Sequence, residues 1–289
     1  MEAFAKPTPD PRAVARERFA GLVGARHDQP PLVETALVIA LEECPDLPVR
    51  KYLAALYAYS SVVADRVREA GPELSIPDRI RILNGYVFDE LGFHGGPDAY
   101  HDPRSSLLNE VIDRRVGIPI TLSVVYIELA KGAGLQLLGV GFPGHFLVKT
   151  QGTSPVRLLD PMNKGAEIDD AGLEHLIRET GTQGVDVISA LRAVDNRAIV
   201  RRLLVNLKNV YLRQGETERA LAAVERLILL DPDAPQELFE RGLLCGRLGR
   251  YAEAMETLDR LVEVAPKSEF AERVEAHLTR FRYWRSRLN

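Results

Sequence analysis

The stretch from Leu107 to Asp160 limits the possible folds most, because a helical pattern changes there into a strand pattern. Pro119 suits the first turn of a helix that runs to Lys131 and has almost no polar face, so this helix should be central and enclosed. Short β-prone runs separated by turn residues follow at 137–142, 145–150 and 156–159. They predict an antiparallel meander beside a buried helix.

The part before Leu107 is predicted to be mainly helical. Apolar residues at helical spacing predict four helices that begin near Pro11, Pro31, Pro48 and Pro77. The segment 92–103 is rich in Gly and Pro, which predicts a loop. Residues 1–11 hold three prolines and predict a flexible leader. We therefore expect an α+β domain over residues 12–195, with a helical N-terminal part.

The C-terminal part contains an internal repeat with a period of 34 residues. The repeating pairs are Gly215 and Gly249, Ala220 and Ala254, and Pro232 and Pro266. This period, with Gly in a turn and Ala where helices touch, resembles the tetratricopeptide repeat. We assign residues 196–289 to α-helical repeats, with two units over 199–266 and a capping helix. Two such units either bind a protein partner or pack as a structural extension.

Composition excludes several classes of function. The formal net charge of −4 gives no general attraction to nucleic acid or anionic lipid, and no apolar run is long enough to span a bilayer. The two cysteines lack CxxC spacing, which argues against a disulfide framework or a Cys-rich zinc site. Phosphate-loop and dinucleotide motifs are absent, so no cofactor is predicted. The expected location is the cytoplasm, without nucleic acid or membrane partners.

His145 and Asp160 form the candidate chemical pair. If the last two β-prone runs form a hairpin that pairs Lys149 with Val156, His145 lies directly opposite Asp160. Opposed Cβ atoms lie roughly 5 Å apart, so Asp160 can hold the imidazole in one tautomer. A one-residue slip would put the two side chains on opposite faces. The pair is either half of a nucleophile, base and orienter site or a bond that only stiffens the hairpin.

Five strings carry a resemblance to a known family. They are ALVIALEECPDLPV, ELGFHGGPDAYHDPRSSLLNEV, NEVIDRRVGIPITLSVVYIELAKGAGL, GVGFPGHFLVK and LLDPMNKG. Together they resemble the SirB1-type branch of the transglutaminase-like fold, a relative of papain-like cysteine proteases that also carries C-terminal tetratricopeptide repeats. The resemblance covers most of the chain. It implies that His145 is the family's histidine and Asp160 its aspartate.

The family's thiol nucleophile does not carry over. The expected Gly-x-Cys aligns with Gly117-Ile118-Pro119, so proline stands in the thiol position. The nearest hydroxyls belong to Thr121 and Ser123. Cys44 and Cys245 lie in segments that are not expected to reach this helix start. On a nearly apolar helix, Ser123 is expected to bond a carbonyl one turn back.

Two hypotheses for function follow from this comparison. The first is a degenerate, non-enzymatic binding or regulatory module, whose protein or peptide partner binds the repeats or a cleft beside His145. The second is a hydrolase or amide-transfer enzyme. In it His145 is the general base, Asp160 the orienter, and Thr121, Ser123 or a water the nucleophile. No substrate follows from the residues.

A polar cluster precedes Gly117 and is a candidate ligand site. Its candidate ligand-binding residues are Asn109, Glu110, Arg114 and Arg115, and Asp113 lies among them. Such a cluster is either a capping and salt-bridge network or an anion clamp, since guanidinium binds carboxylates bidentately.

The nearby loop contains possible metal ligands in His94, His101 and Asp102, with Glu110 as a fourth. Their spacing is irregular, so we interpret the histidines as surface residues and predict no metal site.

Overall fold

The computed structural model describes residues 10–24, 29–96 and 98–287. The chain divides into two compact units, one formed by Met1–Arg18 with Asp28–Leu203 and the other by Phe19–His27 with Leu204–Asn289. The predicted leader at 1–11 falls almost wholly outside the described residues. The predicted domain limit between 195 and 196 lies near this division and remains a prediction.

Helices are present near all four predicted starts. The helices up to residue 190 are α1 (Pro11–Val23), α2 (Leu32–Ala40), α3 (Val49–Ala70), α4 (Ile76–Asn84), α5 (Leu108–Arg114), α6 (Pro119–Ala130), α7 (Asp170–Glu179) and α8 (Val187–Ala190). Beyond α4 the chain continues as a π-helical turn, Gly85–Glu90. The consecutive residues Tyr86, Val87 and Phe88 are buried in this turn.

Five short strands form an antiparallel sheet in the order β6-β5-β4-β3-β7. They are β3 (Leu137–Val140), β4 (Leu147–Thr150), β5 (Leu158–Asp160), β6 (Ala166–Glu167) and β7 (Ala193–Val194). The predicted meander is confirmed as β3-β4-β5, and β6 and β7 are additional edge strands. Two further strands pair in parallel: β1 (His94–Gly95), which lies inside the segment 92–103 expected to be a loop, and β2 (Val116–Gly117), which lies outside it.

The predicted hairpin register is wrong by two residues. Lys149 pairs with Leu158 rather than with Val156. Thr150 accepts from the backbone N–H of Arg157 through Oγ1 (2.9 Å), so the turn takes two more residues and Val156 is 61% exposed there. An even shift keeps every side chain on its face of the sheet, because strand side chains alternate with a period of two.

Helix α6 forms the centre of the first unit. Ten of its residues are buried, and it packs against α3, β3, β4 and the short 3₁₀ turn Pro161–Asn163. On the sheet, Val140, Phe142, Leu147 and Leu176 form a smaller apolar cluster that α7 covers. The predicted central and enclosed helix is therefore confirmed.

The second unit contains the paired helices that the 34-residue period predicts. After α9 (Asn196–Gln214), which crosses the division between the units, come α10 (Thr217–Leu230), α11 (Pro235–Arg247), α12 (Tyr251–Val264) and α13 (Ala271–Arg285). Gly215 and Gly249 both have φ of +75°, a conformation that glycine adopts without strain. Ala220 and Ala254 are both fully buried. Equivalent positions thus have equivalent structure.

Among the described helices, none is long and apolar enough to cross a membrane.

Candidate functional site

The side chains of His145 and Asp160 are in direct contact. His145 Nε2 donates to Asp160 Oδ1 at 3.0 Å, and the two side chains are 13% and 12% exposed. Since the carboxylate fixes the proton on Nε2, the neutral ring presents Nδ1 as an acceptor. Nδ1 has no hydrogen-bond partner in the part of the chain that the structure describes. The predicted pairing of these two residues is present, although the predicted register is not.

Arg202 of α9 holds the turn that carries His145. Its guanidinium donates to the carbonyl oxygens of His145 (2.7 Å) and Phe142 (3.1 Å), and it lies 5.5 Å from the centroid of the Phe146 ring. The backbone N–H of His145 also donates to the Phe142 carbonyl at 3.0 Å. Burial lowers the pKa of Arg202, partly offset by Tyr100. A partly buried cation thus fixes the backbone on both sides of the turn.

Tyr100 is close enough to the couple to sense its charges. Burial raises the pKa of its phenol, the positive charge of Arg202 lowers it, and the negative charge of Asp160 raises it. The side chain remains 41% exposed. Tyr100 is therefore partly exposed and electrostatically coupled to both Arg202 and Asp160.

Asp160 is held by the turn that follows it. Its Oδ1 also accepts from the backbone N–H of Met162 at 2.9 Å, and its carbonyl accepts from the N–H of Gly165 at 2.8 Å. Asn84 donates to the Gly165 carbonyl (3.0 Å) and accepts from the hydroxyl of Tyr126 (2.6 Å). Helices α4 and α6 therefore fix the position of the aspartate.

The supporting residues Asn84, Tyr126, Arg202 and Tyr100 were not identified from sequence. Each lies in a different segment, 42 or more residues from at least one partner. One available signal was Arg202, a cation in a helix with apolar neighbours such as Leu203 and Leu204. The position of Arg202 in the sequence does not show which groups it binds, because that depends on how its helix packs.

Both hydroxyls considered as nucleophiles are bonded to the backbone of the first unit. Ser123 Oγ donates to the Pro119 carbonyl at 2.7 Å, as predicted. Thr121 Oγ1 accepts from the Ile118 N–H at 3.0 Å and lies 2.9 Å from the Ser105 carbonyl oxygen. Thr121 and Ser123 are 1% and 0% exposed, and within the described residues neither bonds His145. Pro119 is also buried.

The candidate anion clamp makes its main contacts within the protein. Arg114 pairs with Asp102 at 3.0 Å. Arg115 donates to the hydroxyl of Tyr59 at 2.7 Å and stacks on the rings of Tyr59 and Phe93, at 5.1 and 4.7 Å from their centroids. These contacts resemble the predicted salt-bridge and capping network. A ligand-binding role for the cluster remains a prediction.

The other two members of that cluster are close to each other. Asn109 is 3% exposed and donates weakly to Glu110 at 3.4 Å. The side-chain amide oxygen of Asn109, Oδ1, has no hydrogen-bond partner in the described residues.

The loop that contains His94 and Asp102 is organised by its own hydrogen bonds. His94 Nδ1 lies 2.9 Å from the Gly92 carbonyl oxygen, and Asp102 accepts from the N–H of Arg104 at 3.0 Å. Burial raises the pKa of Asp102, but the hydrogen bonds from Arg104 and the charge of Arg114 outweigh it, so the net pKa is low. In the described residues, no group of three or more His, Cys, Asp and Glu could hold a metal ion.

The comparisons with known proteins agree with the fold described above. A family model described as the transglutaminase-like superfamily matches residues 50–205, more than half of the chain. The chain belongs to this superfamily. A tetratricopeptide repeat model matches residues 207–279 of the same transglutaminase-like protein. The predicted α+β domain with C-terminal repeats is therefore confirmed.

Relatives of this transglutaminase-like protein occur in several bacteria. A UPF0162 protein of Xylella fastidiosa is 36% identical, over 86% of this chain and 89% of its own. A UPF0162 protein of Pseudomonas aeruginosa is 32% identical, over 77% and 78% of the two chains. Protein SirB1 of Salmonella typhimurium is 25% identical, over 71% and 77%. The SirB1-type resemblance is thus confirmed.

A crystal structure of menin aligns over 96% of this chain and 75% of its own, with 13% identity and a TM-score of 0.39. That score is too low to indicate a shared fold.

Proposed function

We propose that this protein is a non-enzymatic, cytoplasmic binding or regulatory module, in which the transglutaminase-like domain has kept the His145–Asp160 couple as a structural bond. A protein or peptide partner binds the tetratricopeptide repeats. The single observation that supports this proposal is the helix start at Pro119. Proline occupies the thiol position, and Thr121 and Ser123 donate to or accept from backbone groups.

Thr121 and Ser123 would each have to give up a backbone hydrogen bond before acting as a nucleophile. A nucleophilic hydroxyl needs a base within hydrogen-bond reach. To reach His145, Ser123 must first break its 2.7 Å bond to the Pro119 carbonyl inside a fully buried helix start. The Pro119 carbonyl keeps its helical N–H donor, but the loss of the hydroxyl's own hydrogen bond in a buried site costs about 0.5–1.5 kcal/mol. The ground state therefore favours the structural role.

One observation favours the second candidate, a hydrolase or amide-transfer enzyme. His145 Nδ1 lacks a partner among the described residues, while Nε2 is oriented by Asp160. This is the arrangement of a general base, and a water could serve as its nucleophile. The binding-module function and the enzyme function predict opposite effects of His145→Ala on turnover.

The deciding experiment compares His145→Ala with the wild-type full-length chain. Release of p-nitrophenol from p-nitrophenyl acetate, and hydroxamate formation from benzyloxycarbonyl-Gln-Gly with hydroxylamine, are measured with the purified proteins. His175→Ala is the matched control, because His175 is 64% exposed on α7. We expect equal background rates in all three proteins.

A second readout is partner binding in cells. Cross-linking followed by mass spectrometry should identify the same partners for the wild type and His145→Ala. If the turnover rate falls about 100-fold or more only in His145→Ala, the proposed function as a binding module is wrong and the protein is an enzyme. Loss of partners in a folded His145→Ala variant would equally refute the structural role of the couple.

A further inference from the structure

A cavity of about 460 Å³ lies among α11, α12 and α13 of the second unit. We call it the aromatic-basic pocket and define it by Arg247, Tyr251, His277, Arg280, Phe281 and Trp284. Arginine and tryptophan are enriched where proteins bind other proteins. The composition of this pocket therefore differs from that of an ordinary solvent-filled groove.

The two arginines of the aromatic-basic pocket lack carboxylate partners. Neither Arg247 nor Arg280 forms an ion pair with any residue of the described part of the chain. Other arginines of the repeats do form pairs, for example Arg260 with Asp233 at 3.2 Å. None of the described residues that line the pocket is acidic. Two guanidinium groups are thus available to a ligand from outside.

The aromatic side chains give the pocket an apolar base and an apolar rim. Phe281 is only 6% exposed, and its ring centroid lies 5.9 Å from that of Tyr251 and 6.1 Å from that of His277. Gly246 lies directly against the Phe281 ring, with no space for a Cβ. Trp284 is 42% exposed. An apolar side chain entering the pocket would contact Phe281 and cover Trp284.

The charge around the pocket differs from that of the whole chain. Residues 276–287 contain four arginines and no acidic residue, although the full chain carries a net charge of −4. This local positive charge attracts carboxylates, while the overall negative charge opposes long polyanions such as nucleic acid. Tetratricopeptide repeats generally mediate contacts between proteins, which also favours a peptide.

We propose that the aromatic-basic pocket binds an acidic peptide segment, with Asp or Glu side chains on Arg247 and Arg280 and a neighbouring apolar side chain between Phe281 and Trp284. This inference rests on the proposed function, because it specifies the partner of the repeats. Carboxylate binding by guanidinium supplies orientation through paired N–H donors. Burial of the apolar side chain supplies most of the affinity.

The test selects ligands from a random octapeptide library displayed on phage, with the full-length chain as bait. We expect enrichment of peptides in which Asp or Glu lies next to Leu, Phe or Trp. A fluorescein-labelled copy of the selected peptide is then titrated in about 0.15 M salt, where long-range charge effects are screened. Its affinity should fall roughly tenfold or more in the double variant Arg247→Glu, Arg280→Glu.

Two further variants separate the pocket from simple charge. Arg282→Glu reverses one charge on α13, half the charge change of the double variant, but Arg282 interacts with Glu275 at 3.4 Å and does not line the pocket. It should retain binding within about threefold, as expected for an exposed charge outside a binding site. Trp284→Ala removes an exposed ring and should weaken binding without unfolding, as checked by circular dichroism.

Three results would overturn the proposal. They are selected peptides without acidic residues, equal binding by the wild type and the double variant, and tighter binding of a fluorescein-labelled uridine dodecamer than of the peptide. A failure here is distinguishable from a failure of the proposed function. Turnover that depends on His145 would refute the binding-module function but leave peptide binding at Arg247 and Arg280 unaffected.

Discussion

At the residue scale, one carboxylate oxygen ties a histidine to a turn. Asp160 Oδ1 accepts both from His145 Nε2 (3.0 Å) and from the N–H of Met162 (2.9 Å). His145 lies in a bend and Met162 in the 3₁₀ turn Pro161–Asn163, so neither donor belongs to a strand. Neither donor gains a strand partner if the carboxylate is removed. The site should therefore be sensitive to the loss of this one side chain.

Asp160→Ala should lower the free energy of unfolding by about 2–3 kcal/mol, because two partly buried donors lose their acceptor. Asp160→Asn should cost less, since its amide oxygen can still accept. Urea denaturation followed by circular dichroism measures both. Asp169→Ala is the control: Asp169 caps α7 at an exposed site, where such a loss costs about 1 kcal/mol. Equal effects at 160 and 169 would contradict the bridging role.

Gly117 is required for close packing at the start of α6. A Cβ there would lie 2.7 Å from Thr121 Oγ1 and 3.1 Å from the Leu122 side chain. Gly117→Ala should therefore destabilise the protein by about 1–3 kcal/mol through overpacking. At Gly85 a Cβ meets nothing within 4 Å, and the backbone is helical. Gly85→Ala should be neutral or slightly stabilising, and the thermal unfolding midpoints of the two variants and the wild type measure both effects.

The pair His145–Asp160 could be predicted because a two-residue register error leaves strand faces unchanged. Arg202 could not be predicted, since its partners are backbone carbonyls 57 and 60 residues away. Backbone carbonyls carry no sequence signature. Residue types in one segment therefore identified the couple but not the groups that hold it.

At the element scale, helix pairs in the repeats are joined by a buried charge. Lys208 of α9 is 4% exposed and donates to both oxygens of Glu240 on α11, at 2.9 and 2.7 Å. A buried ammonium without its carboxylate is costly, because desolvation is then uncompensated. The bond therefore makes α11 sensitive to the charge at position 240.

Glu240→Gln should lower the free energy of unfolding by roughly 3 kcal/mol, because it leaves Lys208 charged and unpaired. Lys208→Met removes the charge itself and should cost less. The double variant should recover part of the loss, and a double-mutant cycle in urea gives the coupling energy. Additive effects would show that the two side chains do not interact in solution.

Elements were predictable where their periodicity was strong. The helix at Pro119 and the 34-residue repeat were identified correctly, because apolar spacing and glycine turns determine them locally. The two-residue strands β1 and β2 were not predicted. The Gly and Pro content of the segment 92–103 indicated a loop at β1, and the pairing with β2 depends on tertiary packing. The π-helical turn Gly85–Glu90 has likewise no distinctive local pattern.

At the scale of the whole molecule, we expect stability to depend on pH through His277 of the repeats. Burial lowers the pKa of His277, and the charges of Arg273 and Arg280 lower it further. As pH falls through about 6.5, the unfolded chain takes up a proton that the folded chain resists. This contribution to stability is therefore complete above that pH and is lost as pH falls towards the folded pKa.

Thermal unfolding from pH 7.5 to 5.0 should show a lower midpoint at acidic pH for the wild type. His277→Gln cannot take up the proton, so its midpoint should fall less over the same range. His175→Gln, at an exposed site, should retain the wild-type slope. Identical slopes for wild type and His277→Gln would contradict the assignment.

Composition limited the functional class but not the partner. The net charge of −4 indicated no general affinity for nucleic acid, yet it concealed the local positive charge of residues 276–287. Ion pairing decides which arginines are available, and pairing depends on tertiary structure. The fold class could therefore be inferred from sequence, whereas the identity of the unpaired arginines could be read only from the three-dimensional structure.

The turn after Asp160 has a mechanical consequence. The Met162 side chain packs directly over Gly95, where no Cβ fits, and the N–H of the same residue bonds the oxygen that orients His145. Strand β1 and the imidazole are thus connected through a single methionine. A ligand that displaced residues 94–95 would tilt the ring, and the Cε1–H resonance of His145 would report that displacement from across the turn.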